Sequence, residues 1–159
     1  MEFLEEEFNE ILNIFQVESE EIVSRLNSNL VELEKKPGNK DAILRLFRDA
    51  HSLKGASRMV GFNNIQGLAH KLEDVLGFAK DDEIKLNKKI VDILYKTVDL
   101  LSEVISKSIE QKKEIYSENV LTQSSVLDSI KNYVDEGESS AEDKSDLDID
   151  LLSKNIVEI

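Results

Sequence analysis

His51, Lys54 and Gly55 fall within the run His-Ser-Leu-Lys-Gly, inside an apolar-periodic stretch over residues 42–60. At 3.6 residues per turn, Lys54 and Gly55 share the helix face of His51. An imidazole is thereby flanked by a fixed cation and by a residue with no side chain. This combination suits a nucleophilic histidine that carries a phosphoryl group, with charge compensation on one side and open space on the other. A glycine inside a helix costs about 1 kcal/mol relative to alanine. Its place here has a cause, either room for a docking partner or close packing against a neighbouring helix.

The one other histidine, His70, is followed three positions later by Glu73, on the same face of the next helical stretch. If the two stretches pack antiparallel about Gly61-Phe62, levels are compared by counting from the turn. His51 lies ten residues before Gly61, and His70 and Glu73 lie nine and twelve after it. At about 1.5 Å rise per residue these match to within a turn. Glu73 can then accept from one imidazole nitrogen of His51, fix the tautomer and leave the other lone pair facing solvent. Two plainer readings stay open. His70 and Glu73 form an ordinary surface pair, or His51, His70 and Glu73 gather a metal ion, which the Lys54 charge opposes.

Five helices must position these residues. The first spans about residues 4–35, with Phe8, Ile11, Leu12, Phe15, Ile22, Leu26, Leu30 and Leu33 on its apolar repeat and a break or bend expected near residues 16–19. Pro37-Gly38-Asn39 ends it. The second spans about 41–60, with Ile43, Leu46, Phe47, Ala50, Leu53, Ser57 and Val60 inward, and Gly61 stands where a left-handed cap belongs. The third, to about residue 80, is expected to be capped by Asn63 or Asn64, with Gln66 in capping-box spacing from Asn63. Asn87 caps a fourth helix through Ile90, Leu94, Val98, Leu101, Val104 and Ile105, and Ser117 a fifth through Val120, Leu127, Ile130 and Val134. Short connections between long amphipathic helices imply an all-α, up-down antiparallel bundle over residues 1–135.

Residues 136–159 read as an acidic linker or tail, with a short helix possible among the apolar positions after Leu147. Of the net charge of -13, over half comes from residues 135–150, where eight acidic groups face Lys144 alone. That balance argues against nucleic acid as a partner. No apolar run approaches the roughly 20 residues needed to span a bilayer, the acidic start is unlike a signal peptide, and there is no cysteine. A cytoplasmic, monomeric segment without membrane contact is expected. The second helix is locally basic, with Arg45, Arg48, Lys54 and Arg58 against Asp49. Such a charge run is either a solvated face or a patch that attracts phosphate or an acidic pocket.

His51-Ser-Leu-Lys54-Gly55, then Gly61-Phe62, then His70-Lys-Leu-Glu73 resembles the histidine-phosphotransfer (HPt) domain at the amino terminus of CheA-type chemotaxis histidine kinases. The likeness covers roughly residues 8–134. It implies that His51 is the phosphoacceptor, that Glu73 orients its ring, that Lys54 and His70 tune it, and that Gly55 gives a partner clearance. It implies two partners, the ATP-binding domain of a histidine kinase and the receiver domain of a response regulator. ATP and Mg²⁺ would sit on those partners and no cofactor on this segment, which has no Gly-rich phosphate loop. By itself the segment is therefore a phosphoacceptor rather than a complete enzyme. Residues 57–60, Ser-Arg-Met-Val, depart from the smaller residues often found in the family, and Arg58 is a candidate phosphate or partner contact. The alternatives are a shuttle between two receivers in a multistep phosphorelay and an unphosphorylated helical scaffold.

Overall fold

The boundaries of the helices follow from the punctuation residues. In the computed structural model, which describes residues 2–136, five helices form: α1 (Glu2–Lys35), α2 (Lys40–Met59), α3 (Asn63–Lys80), α4 (Lys88–Gln111) and α5 (Glu118–Glu136). The tail expected beyond Glu136 lies outside the described residues. Asn39 accepts from the Ala42 N–H at 3.2 Å and Asn87 from the Ile90 N–H at 2.9 Å, each satisfying an orphan donor of a helix start. Ser117 Oγ accepts from the Asn119 N–H at 3.2 Å ahead of α5. Gly61 has φ +80°. Its N–H donates to the Arg58 carbonyl and that of Phe62 to the Ser57 carbonyl, both at 3.0 Å, the two hydrogen bonds of a Schellman turn. The Phe62 ring is buried and meets Phe15 edge-on, with centroids 5.6 Å apart.

Two expectations about local structure give way. α1 runs without a break through residues 16–19. Ser19 takes an inward position between Phe15 and Ile22, fully buried, and its hydroxyl donates back to the Gln16 carbonyl at 3.3 Å. A small self-satisfied side chain thus keeps the helical repeat going where polar residues suggested an interruption. The apolar stripe fades toward the start of α1, where Phe8 is only half-buried and Ile11 is 41% exposed. At α3, neither asparagine is the cap. The Schellman turn hands the chain on so abruptly that Asn63 and Asn64 are already helical, and Phe62 occupies the cap position with no side-chain bond of its own. Glu114, from the connector between α4 and α5, supplies the missing acceptor: its Oε2 receives the Asn64 and Ile65 N–H groups at 3.0 Å each.

Antiparallel packing shows in paired contacts. Between α1 and α2, Arg25 meets Asp49 at 3.0 Å and Arg45 meets Asn29 at 2.7 Å. Between α2 and α3, His51 faces Glu73 while Phe47 lies against Gly77. α4 packs on α1 and α3, closing a four-helix ring, and α5 lies against α3 with a smaller contact to α4. One continuous core fills the ring, with Phe15, Leu26, Leu46, Leu53, Leu72, Leu76 and Ile90 among its fully buried side chains. Among the described residues no helix is long and apolar enough to cross a membrane.

Two glycine-to-alanine changes should have opposite signs. Gly61→Ala places a Cβ in a left-handed backbone and should destabilise by about 1–2 kcal/mol, lowering Tm by roughly 3–8 °C. Gly55→Ala, mid-helix and with no neighbour within 4 Å of the added Cβ, should stabilise by up to about 1 kcal/mol. Denaturant midpoints of the two variants check both signs.

Candidate functional site

The site is built across the α2–α3 seam, where the three-residue turn through Gly61 brings the two helices side by side. α2 presents His51, whose side chain is 64% exposed, and Lys54 one turn later; α3 presents Glu73, which is only 12% exposed. His51 Nδ1 and Glu73 Oε1 are 2.8 Å apart, and Lys54 Nζ stands 2.8 Å from Glu73 Oε2. Burial raises the carboxyl's proton affinity and is the largest single influence on it. The hydrogen bonds and charges of Lys54 and His51 together outweigh burial, so its pKa falls below the ordinary 4.5.

That ionisation decides the tautomer. A carboxylate only accepts, so the proton between the two groups belongs to His51 Nδ1, which donates. In a neutral ring, Nε2 then keeps its lone pair on the open side of the helix. A neutral, oriented imidazole nitrogen facing solvent is chemically a nucleophile, and its buried partner can balance the positive ring that forms when Nε2 gains a substituent.

Gly55, one turn beyond His51, is exposed, and a Cβ built on it meets nothing within 4 Å. Close internal packing is therefore not its reason. That role belongs to Gly77, which the sequence reading did not single out. A Cβ there would come to 3.3 Å from the Phe47 ring, so Gly77 lets α2 and α3 approach one turn beyond Glu73. The signal was present, since Gly77 follows Glu73 by four positions on the same face. Glu114 was also missed, because an acceptor 49 residues from the N–H it caps leaves no trace in local spacing.

The remaining two candidates stand outside the His51–Lys54–Glu73 contacts. His70 does not join Glu73 as a second partner of His51. Its Nε2 faces Asp74 Oδ1 at 3.7 Å, and Asp74 Oδ2 lies 4.0 Å from Lys131 Nζ of α5. Three residues along a helix leave a 60° angular offset between His70 and Glu73, and the His70 ring pairs along α3 with Asp74. Arg58 is exposed two turns beyond His51. His51 and Lys54 engage both oxygens of Glu73, and among the described residues no group of three or more His, Cys, Asp or Glu could hold a metal ion.

Comparison with known proteins converges on one family. The model of the Hpt domain matches residues 10–111. The chain is 34% identical over 112 residues to the chemotaxis protein CheA of Borreliella burgdorferi, covering 70% of this chain and 13% of that protein. It is 36% identical over 100 residues to the sensor histidine kinase CheAY of Helicobacter pylori, covering 63% and 12%. It thus spans about an eighth of the length of these curated relatives. A solved histidine phosphotransfer domain of CheA superposes with a TM-score of 0.69 at 32% identity, covering 76% of this chain and 90% of that one.

The depressed Glu73 pKa carries a pH signature. A lowered carboxyl pKa adds stability that is present above the ordinary value and lost as pH falls through the folded value. The stability gap between the native chain and Glu73→Gln should therefore be full at neutral pH and close as pH drops below 4.5. Urea unfolding at a series of pH values measures the gap. A gap independent of pH would mean that Glu73 gains nothing from its ionised contacts.

Proposed function

The chain belongs to the Hpt domain family, and on that premise we propose that it is the phosphoryl carrier of a CheA-type chemotaxis histidine kinase, acting in the cytoplasm. The observation that carries this reading is the 2.8 Å contact from His51 Nδ1 to Glu73 Oε1, which leaves Nε2 as the reacting atom. In the first step the Nε2 lone pair attacks the γ-phosphorus of ATP held by the kinase's ATP-binding domain. The N–P bond forms as the bond to the ADP oxygen breaks, and the Nδ1 proton stays on its bond to Glu73. In the second, an aspartate carboxylate of a receiver domain attacks the same phosphorus and the N–P bond breaks. Partners supply Mg²⁺ and most of the stabilisation of the transferring group; this chain supplies a positioned nucleophile.

Supporting roles follow from the same geometry. Lys54 keeps Glu73 ionised from the side opposite His51. The open space at Gly55 admits two different partners in turn, and Arg58 extends the positive edge of the same face. The alternative of a scaffold that is never phosphorylated would not require the oriented nitrogen. A shuttle between two receivers uses the same chemistry, and the similarity to the CheA of Borreliella burgdorferi favours the kinase reading.

Incubation with a separately produced kinase core and labelled ATP should label the chain with acid-labile, base-stable phosphate, and His51→Gln should abolish the label. Label retained in that variant, or mapped to Ser52 or His70, refutes the assignment. Glu73→Gln should accept phosphate more slowly, by roughly 10–100-fold, with helical content unchanged. A native rate at subsaturating kinase would reduce Glu73 to a structural residue.

A further inference from the structure

The roles of His51, Lys54 and Glu73 make no use of α5, and the Hpt match ends at residue 111, the last of α4. Yet α5 and its connector hold α3 at several points. Glu114 caps the start of α3 through the Asn64 and Ile65 N–H groups. Asp128 of α5 pairs with Lys71, and Lys131 stands 4.0 Å from Asp74. Lys71 and Asp74 bracket Glu73 along the chain and point to the α5 side of α3, while Glu73 points to α2. Behind these pairs Val120, Leu127, Ile130 and Val134 are buried. α5 is itself tied to α4, since Gln123 Nε2 donates to Thr97 Oγ1 at 2.9 Å and to the Ile93 carbonyl at 3.2 Å.

The geometry points to α5 as a brace that fixes the rotation of α3 and so aims Glu73 at His51, with Asp128, Lys131 and Glu114 as positioning residues for phosphoryl acceptance. The inference rests on the carrier function proposed above. A carboxylate at the rim of a helix lies about 5–6 Å from the axis, so a 10° turn of α3 moves it by about 1 Å. Starting from 2.8 Å, a displacement of that size along the contact takes the pair to about 3.8 Å, beyond hydrogen-bond range. Misplacement of about 1 Å can slow a reaction on the order of 100-fold. α2 and α5 restrain different flanks of α3. The α2 contact with α3 at Phe47–Gly77 sets how close the helices come, whereas the α5 pairs grip the opposite flank.

The test uses the full 159-residue chain with Asp128→Lys, Lys71→Asp, the two together, and Glu114→Gln. The share of the Nδ1–H tautomer of His51 is read from imidazole nitrogen shifts without any kinase. The phosphorylation rate is read with kinase core and labelled ATP, and helical content by circular dichroism. Each single charge reversal should lower the Nδ1–H share and slow phosphorylation by on the order of tenfold. The swapped pair should restore both, and Glu114→Gln should fall between. If the reversals leave tautomer and rate at native values, whatever happens to the melting temperature, α5 is only structural and the inference is overturned. Should Asp128→Lys fail to fold, Asp128→Asn decides on the same two readouts. A native chain that holds the Nδ1–H tautomer but accepts no phosphoryl group refutes the carrier reading and leaves the brace to be judged by the tautomer.

Discussion

A carboxylate lodged in the seam between two helices is the constraint on which this structure turns. Glu73 is 12% exposed, and a poorly solvated anion stays charged only where positive or donating groups surround it. Lys54 and the Nδ1–H of His51 meet that need, one at each oxygen. The arrangement therefore couples three properties that could have been separate: the charge state of Glu73, the tautomer of His51 and the distance between α2 and α3. A shift in any one would disturb the other two. The surrounding bundle supplies the rigidity, because leucines and isoleucines buried on both sides of the seam leave the helices little freedom to slide.

Placing the acceptor on a second helix matters physically. A glutamate one turn from His51 on α2 itself would share its exposure, and water would screen the interaction. From α3 the carboxylate approaches from below, out of solvent, while the imidazole remains on the surface. The ring is thus restrained at its inner nitrogen and open at its outer one. Gly55 continues that openness along α2, and Gly77 secures the closeness beneath it. Two glycines on adjacent helices serve opposite purposes, which the Phe47 ring against one and the empty space around the other make plain.

Much of this was legible in the sequence because it depends on local periodicity. The five helices, the caps at Asn87 and Ser117, the Gly61 turn and the pairing of His51 with Glu73 all follow from spacing within one hairpin or one helix. The departures have a common cause in contacts between distant segments. Asn63 and Asn64 carry a capping signature, but the tightness of the preceding turn and the reach of Glu114 override it. His70 stands at the level of His51, but its ring pairs with Asp74 one turn along α3, a residue that Lys131 of α5 also approaches. Ser19 suggests a break only until its hydroxyl is seen to be satisfied within α1.

The Schellman turn at Gly61 also has a consequence for how the molecule assembles. Only three residues separate α2 from α3, so the His51–Glu73 pair closes a loop of 22 positions, at an entropic cost about 0.7 kcal/mol below the 50-position closure from Asn64 to Glu114. Proteins rich in such near-sequence contacts fold fast. The reactive pair therefore belongs to a local helical hairpin, as the Arg45–Asn29 contact between α1 and α2 does at 16 positions, and such contacts form readily from the unfolded chain. The longer-range clasp of the α4–α5 segment carries the greater closure entropy, so the hairpin is a natural early folding unit and the outer helix its later reinforcement.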